Sequence, residues 1–223
     1  INLDELIALG YNKKLSAFDI LLPGFIATAK SASLAPRTRK AIDYLANWDH
    51  VADTNSIATS IAIEWATKWG AEIPPASTEE AATHAIVKYN RMDQEVAFET
   101  KIKLLEATLD QFEKWYGGWE IKWGAMNRYQ RVAPGANFDD SQPSLAVNQA
   151  SSRWGGLPSF ESRRYANTTK RYGYTGNSFV AAVEFGKRLK AKTIITGGQS
   201  RFAESQHFTD QAYGYLQDRK SVV

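Results

Sequence analysis

The stretch that decides the fold is residues 176–200, GNSFVAAVEFGKRLKAKTIITGGQS. Residues 178–185 form an almost unbroken run of side chains that favour β-structure, and residues 190–196 form a second run. Residues 186–188, Gly-Lys-Arg, lie between the two runs, where the chain must reverse. Two strand-forming runs around a short glycine-containing connection predict a β-hairpin.

Both faces of the first predicted strand are mainly apolar. The two-residue alternation of a strand places on one face Phe179, Ala181, Val183 and Phe185, and on the other Val180, Ala182 and Glu184. We therefore expect this strand to be covered on both sides. Fully burying one large apolar side chain contributes roughly 1.5–3 kcal/mol, and a lone hairpin cannot provide that cover. The cover must come from the rest of the chain or from another chain.

Composition and charge exclude several functional classes. The 223 residues are 43% hydrophobic and 23% charged, which is a typical globular balance for one large domain or two small ones. The net charge of +3 is too even to indicate a nucleic-acid partner. No apolar run approaches the roughly 18 residues of a membrane span. Cysteine is absent, which excludes disulfides and thiol catalysis and suits an oxidising compartment. Seven tryptophans favour large aromatic packing or a hydrophobic pocket.

The first half of the chain predicts helices. Asn2 is placed to cap a helix over residues 3–9, which Gly10 would end. A second helical pattern covers residues 16–32, with Pro23 expected to break or kink it. Pro36 is placed as the first residue of a third helix.

Three further helices follow in the sequence. The segment 54–69 carries a stripe of large apolar side chains, which are Ile57, Ile61, Trp65 and Trp69. Ser77 and Glu80 have the spacing of a capping box for a helix that runs to about Arg91. A longer helix is predicted over residues 93–115, and Gly117 with Gly118 would end it.

The character of the sequence changes after residue 118. Residues 119–175 predict irregular connections with short strands at 127–132 and 145–148, and residues 206–217 predict a final helix. The expected organisation is an α-helical lobe over residues 1–116 and a β-containing lobe over residues 119–223. The predicted fold class is therefore α+β.

The three histidines are His50, His84 and His207, and their spacing matches no metal-ligand motif. His84 lies in a predicted amphipathic helix and is expected to be a surface or packing residue. His50 lies at a predicted helix end, where a cation is favourable because of the helix dipole. His207, at the start of the final predicted helix, is the one histidine that we keep as a functional candidate.

Other candidate motifs also favour structural roles. Asp139 and Asp140 are adjacent, so in a strand they would point to opposite faces, and the neighbouring Ser141 and Pro143 indicate a turn. The glycine pairs within 153–156 and 197–200 lack the order of a phosphate-binding loop and are interpreted as turns. No GxSxG motif is present.

Five tryptophans could line a ligand pocket, although a helical aromatic stripe is more often core: Trp65, Trp69, Trp115, Trp119 and Trp123. Composition and spacing alone thus predict an α+β protein, and they identify no group of residues that could catalyse a reaction by itself.

Several segments nevertheless resemble a known family in one order. They are WG (123–124), NRYQR (127–131), FDDSQPSLAV (138–147), SSRWGGLPSF (151–160), GNSFVAAVEFG (176–186), GGQS (197–200) and HFTDQAYGY (207–215). The order resembles the C-terminal part of the β subunit of the penicillin acylase family, the N-terminal nucleophile amidohydrolases that include penicillin, cephalosporin, aculeacin and acyl-homoserine-lactone acylases. The first half is similar too, in residues 4–25 and 46–56.

The resemblance implies part of a four-layer αββα sandwich, with a helical excursion before antiparallel strands. It also implies an autoproteolytic precursor that frees a serine at the N-terminus of the β subunit. In this mechanism the serine's α-amino group is the base, its hydroxyl forms the acyl-enzyme, and an oxyanion hole stabilises the intermediate.

This chain starts at Ile1, which carries no nucleophilic atom. We therefore expect the nucleophile and oxyanion residues to lie outside this chain, so no catalytic, cofactor-binding or metal residue is assigned within it. The family's calcium site, where present, would lie upstream. The chain is expected to be an inactive fragment of a periplasmic or secreted acylase.

The expected partners are the remainder of the same precursor, namely the α subunit and the N-terminal part of the β subunit, and a small acyl-amide substrate. The alternative hypothesis is a non-catalytic, Trp-rich module that binds a ligand or a partner.

Overall fold

The structure, a computed structural model, describes residues 1–74 and 85–218, and the chain divides into two compact units. The sheet unit holds residues 1–13, 124–152 and 156 onward, and the helical unit holds residues 14–123 and 153–155. The lobes expected at 1–116 and 119–223 stay a prediction, since the two units are defined by contacts between residues and each contains segments that are separate in the sequence. Residues 1–13 belong to the same unit as the strands.

The described helices are α1 (Leu3–Gly10) in the sheet unit and, in the helical unit, α2 (Phe18–Ser31), α3 (Pro36–Ala46), α4 (Ile57–Trp69), α5 (Ala85–Glu95) and α6 (Phe98–Tyr116). A single turn, α7 (Trp123–Met126), follows α6. Within the described parts of the chain, no helix has the length and apolar character needed to cross a membrane.

The predicted starts of α1 and α3 are confirmed, and α4 begins at a cap that the sequence analysis did not predict. The Asn2 side chain accepts from the N–H of Glu5, and the Glu5 carboxylate accepts in return from the N–H of Asn2, both at 2.9 Å. Pro36 is the first residue of α3. The Ser56 hydroxyl caps α4 by accepting from the N–H of Thr59 at 3.0 Å.

Of the two effects predicted for Pro23, a break does not occur, since α2 continues through the proline, and a kink stays a prediction. The long helix begins at Phe98 rather than at residue 93, and Gly117 ends it in the left-handed conformation with φ of 76°. The predicted Ser77–Glu80 capping box lies outside the described residues.

The core of the helical unit is built around the aromatic stripe of α4. Trp65 and Trp69 are fully buried with their ring centroids 5.0 Å apart, and the Phe25 ring lies 4.6 Å from that of Trp65. Both indole N–H groups donate to backbone carbonyls, of Lys101 at 2.8 Å and of Met92 at 2.7 Å. The prediction that this stripe is core is confirmed.

The strands of the sheet unit are β1 (Asn127–Tyr129), β2 (Leu145–Ala146), β3 (Phe160–Arg163), β4 (Arg171–Gly176), β5 (Phe179–Glu184) and β6 (Lys190–Ile195). They form one four-stranded sheet in the order β2-β1-β4-β3 and one two-stranded sheet of β5 and β6. β1 and β4 are parallel, and all other pairs are antiparallel. The first two strands lie where the sequence predicts them, although they are shorter than predicted.

The hairpin predicted over residues 178–196 is confirmed. β5 and β6 pair in register from Phe179 opposite Ile195 to Glu184 opposite Lys190. Among the strands that the structure describes, these two pair only with each other.

The final helix predicted over residues 206–217 is wrong as one element. A 3-10 turn covers Gln206–Phe208, Thr209 leaves the helical region with φ of −133°, and a π-helical turn covers Gly214–Asp218. Four apolar side chains of this segment are nevertheless buried, and they are Phe208, Ala212, Tyr215 and Leu216.

Candidate functional site

The outer face of the hairpin exposes large apolar side chains, which we call the hairpin surface: Phe179, Val183 and Phe185 of the first strand and its end, and Leu189 of the turn. Their exposed fractions are 60%, 38%, 84% and 65%. A contiguous exposed apolar patch of this kind is more often an interaction site than a part of the protein surface without a function. The expected cover on both sides of β5 is thus provided by the described chain on one side only.

The inner face of β5 packs against α1. Ala182 is buried in a cluster with Ile7 and Tyr11, and Val180 packs against the same cluster. The Lys192 ammonium group of β6 lies 2.6 Å from the Asp4 carboxylate of α1. The first helix of the chain therefore covers the inner face of β5, while Ile194 of β6 is buried in a second cluster with Tyr215 and Leu216.

The turn end of the hairpin is cationic. Lys190 lies 2.9 Å from Glu184 across the hairpin, whereas Lys187 and Arg188 extend from the exposed turn. A surface that joins exposed aromatic groups to cations fits a partner face that combines an apolar groove with acidic groups at its rim.

A buried asparagine holds the centre of the four-stranded sheet. The Asn127 amide group is fully buried and donates to the carbonyls of Val147 at 3.1 Å and Gln149 at 2.9 Å. Its oxygen accepts from the Ser162 hydroxyl at 2.6 Å, and the Arg171 guanidinium donates to that hydroxyl at 3.2 Å. One side chain therefore connects β1, β3 and β4 with the segment after β2.

Arg131 holds the loop that follows the hairpin. Its guanidinium donates to the carbonyls of Gly198, at 2.9 Å, and of Phe208, and it stacks on the Phe208 ring at 4.4 Å. A Cβ atom at Gly198 would lie 2.2 Å from the carbonyl oxygen of His207, so only glycine permits this close approach. Sequence analysis interpreted residues 197–200 as a turn, and the partner arginine carried no sequence signal.

The adjacent aspartates have separate structural roles, as predicted. The Asp139 carboxylate accepts from the N–H and the hydroxyl of Ser141 at 2.8 and 2.7 Å, which is turn chemistry. The Asp140 carboxylate accepts from the N–H and the hydroxyl of Thr169 at 2.7 and 2.9 Å and from the Tyr172 hydroxyl at 3.0 Å. Asp140 thus ties the loop before β2 to the start of β4.

The Asp140 pKa lies below its usual value. Burial alone raises this pKa, but the donors on Thr169, Tyr172 and Lys170 together outweigh the burial. Burial, followed by the Asp140 contact, raises the pKa of Tyr172. The carboxylate is therefore ionised and the phenol is neutral at neutral pH.

The folded-state pKa of Asp140 lies below the unfolded-state value of about 3.9, so its stabilisation is present above that pH and is lost as the pH falls through the folded-state pKa. We expect Asp140→Asn to lower stability at pH 7 and to flatten the acid limb of the stability curve. Urea unfolding between pH 2 and 7 measures both effects. The exposed Asp43→Asn is the control, and an unchanged acid limb in Asp140→Asn would contradict this assignment.

A family model described as Penicillin amidase matches residues 1–220. The chain belongs to the penicillin amidase family. This family of amidohydrolases is the one that the ordered segments of the second half resemble, so the resemblance is confirmed. The mixed helices and small sheets also confirm the predicted α+β class.

The two histidines that the structure describes, His50 and His207, each contact an aspartate. His50 has a positive φ of 62°, and its Nδ1 lies 2.6 Å from Asp19, whose pKa is lowered mainly by a hydrogen bond from Lys14. Nδ1 of His207 lies 2.7 Å from Asp210 at an exposed position. His84 lies outside the described residues. The two aspartate contacts account for the placement of His50 and His207 within the local structure.

In the residues that the structure describes, no three histidine, aspartate or glutamate side chains are grouped to hold a metal ion. The tryptophan set divides by burial, since Trp65, Trp69 and Trp123 are buried, whereas Trp115 and Trp119 are half-buried. The hairpin surface therefore remains the strongest candidate for a functional surface.

Proposed function

We propose that this chain is the C-terminal part of the β subunit of an acylase in the penicillin amidase family. The enzyme hydrolyses an acyl amide through an acyl-enzyme formed on an N-terminal serine that lies outside this chain. The serine hydroxyl adds to the amide carbon, and its proton passes through the α-amino group to the leaving amine. Water then releases the acyl group as a carboxylic acid and regenerates the serine.

The observation that carries the proposal is the exposed hairpin surface in a chain that matches this family. In the complete enzyme this surface packs against the remainder of the precursor, which supplies the nucleophile and the oxyanion hole. Burial of Phe185 alone would contribute roughly 1.5–3 kcal/mol to that association. The cations of the hairpin turn favour an acidic rim on the partner face.

The remaining parts of the proposal follow from the same placement. The precursor cuts itself to free the serine, the α subunit and the N-terminal part of the β subunit are the partners, and the complete enzyme is periplasmic or secreted. The absence of cysteine is compatible with such an oxidising compartment. The Trp-rich binding module has less support, because the two largest members of its helical stripe, Trp65 and Trp69, are buried core residues.

Intact mass spectrometry of the native protein and an assay with a chromogenic acyl anilide test the proposal. We expect this chain to copurify with further polypeptides and the assembly to hydrolyse the anilide, while the isolated chain does not. Hydrolysis by the isolated chain would overturn the proposal.

The interface is tested by one substitution and a matched control. Phe185→Ser should weaken the association by roughly tenfold or more, which corresponds to the lost burial of one large side chain. Phe202→Ser changes another exposed phenylalanine, which lies outside the hairpin, and should leave the association within about twofold. Equal dissociation constants for the two variants would contradict the assigned interface.

A further inference from the structure

A cavity of about 260 Å³ lies within the sheet unit between α1 and β5. Leu6, Ile7 and Gly10 form one wall, and Val180 and Ala182 form the other. Tyr215 also lines the cavity. For comparison, an apolar cavity of about 150 Å³ is large enough to bind benzene. The cavity beside α1 can therefore hold one substituted aromatic ring or a short alkyl chain.

The polar groups of the cavity are uncharged. No lysine, arginine, aspartate or glutamate is among the described residues that line it, and its polar members are tyrosines and the amides of Gln149 and Asn177. The Tyr215 hydroxyl donates to the Asn177 carbonyl at 2.6 Å, and the Gln149 amide donates to the Tyr215 carbonyl at 3.1 Å. These hydrogen bonds fix the polar end of the cavity. A charged ligand would lose its hydration there without gaining an opposite charge.

We propose that this cavity binds a neutral, mainly apolar small molecule that carries a single uncharged hydrogen-bonding group. The apolar part lies between α1 and β5, and the hydrogen-bonding group lies at the end where Gln149, Asn177 and Tyr215 meet. Shape and apolar contact give such a ligand its affinity, and the oxygen of the Tyr215 hydroxyl, whose hydrogen is donated to Asn177, can accept a hydrogen bond from the ligand. The proposal does not depend on the acylase activity.

Gly10 provides a way to fill the cavity without disturbing its walls. A Cβ atom built at Gly10 meets no other atom within 4 Å, and Gly10 does not have the left-handed φ that excludes other residues. Because Gly10 lines the cavity, we expect a leucine at this position to reduce the cavity volume. Gly118, in the helical unit, has the same open surroundings and no left-handed φ, so Gly118→Leu is a matched control.

Isothermal titration calorimetry of the purified protein that contains this chain, with octan-1-ol and octanoate as probes, tests the site. We expect saturable binding of octan-1-ol, at least tenfold weaker binding of octanoate, and a loss of at least tenfold for octan-1-ol in Gly10→Leu. Gly118→Leu should bind octan-1-ol as the unchanged protein does. Octanoate affinity equal to that of octan-1-ol, or equal affinities for both leucine variants, would overturn the proposal.

A second measurement uses the unchanged protein and therefore does not depend on the folding of a variant. Nuclear Overhauser contacts should join the methyl end of bound octan-1-ol to the methyl groups of Leu6 and Val180. Binding without these contacts would place the probe elsewhere and would reject the site.

Discussion

Trp65→Ala is expected to lower the free energy of unfolding by about 3–5 kcal/mol, the usual range for loss of a buried large aromatic side chain. The Trp65 ring is fully buried between Phe25 and Trp69, so its removal leaves a cavity that the surrounding helices can fill only in part. The Lys101 carbonyl would also lose the indole N–H that donates to it at 2.8 Å.

Two further variants separate the causes of that loss. Trp65→Phe keeps much of the ring volume but removes the hydrogen bond, so it should cost less than Trp65→Ala. Trp119→Ala removes a half-buried ring and should cost clearly less than either change at Trp65. Urea unfolding followed by circular dichroism measures all three, and equal losses for Trp65→Ala and Trp119→Ala would contradict the assigned core.

Asn127→Ala is expected to lower the free energy of unfolding by about 2–4 kcal/mol. Leaving one buried polar group without a partner costs about 1–3 kcal/mol, and this substitution affects more than one such group. The substitution removes the partner of two carbonyls, of Val147 and Gln149, and of the Ser162 hydroxyl. The loss should appear in unfolding of the sheet unit, where these groups lie.

Exposed Asn137→Ala is the matched control for Asn127→Ala and should change stability by no more than about 0.5 kcal/mol. Hydrogen exchange at the amides of β1 and β4 provides a local readout of the same change. Unaltered exchange in Asn127→Ala would show that this side chain does not hold the sheet together.

The elements that sequence analysis located have strong local signals. Asn2 with Glu5 and Pro36 mark helix starts by their own hydrogen bonding or fixed φ, and the hairpin has two β-prone runs around a glycine. β3 and β4 carry weak strand signals, because β3 has only four residues and Gly173 interrupts β4. A Cβ at Gly173 would lie 2.4 Å from the Phe160 ring, so this packing requires a residue that weakens the strand signal.

The candidate site was predicted only in part. Alternation along β5 gave the correct two faces, but it could not show that α1 covers one of them and that Phe185 stays exposed. The partners of Asn127 and Arg131 are distant in sequence, and no pattern of residue types predicts these contacts. Contacts of this kind depend on the three-dimensional arrangement of strands, which local propensity does not specify.

The pairing of Asp4 with Lys192 has a consequence for biosynthesis, because 188 positions separate the two residues. At a ribosomal rate of about 5–20 residues per second, the hairpin is synthesised on the order of 10–40 s after α1, and the apolar side of α1 lacks its cover for that time. The helical unit between them is translated meanwhile and can fold first. A nascent chain stalled before residue 179 should therefore recruit chaperones at its beginning, where Leu3 and Ile7 are not yet covered by β5.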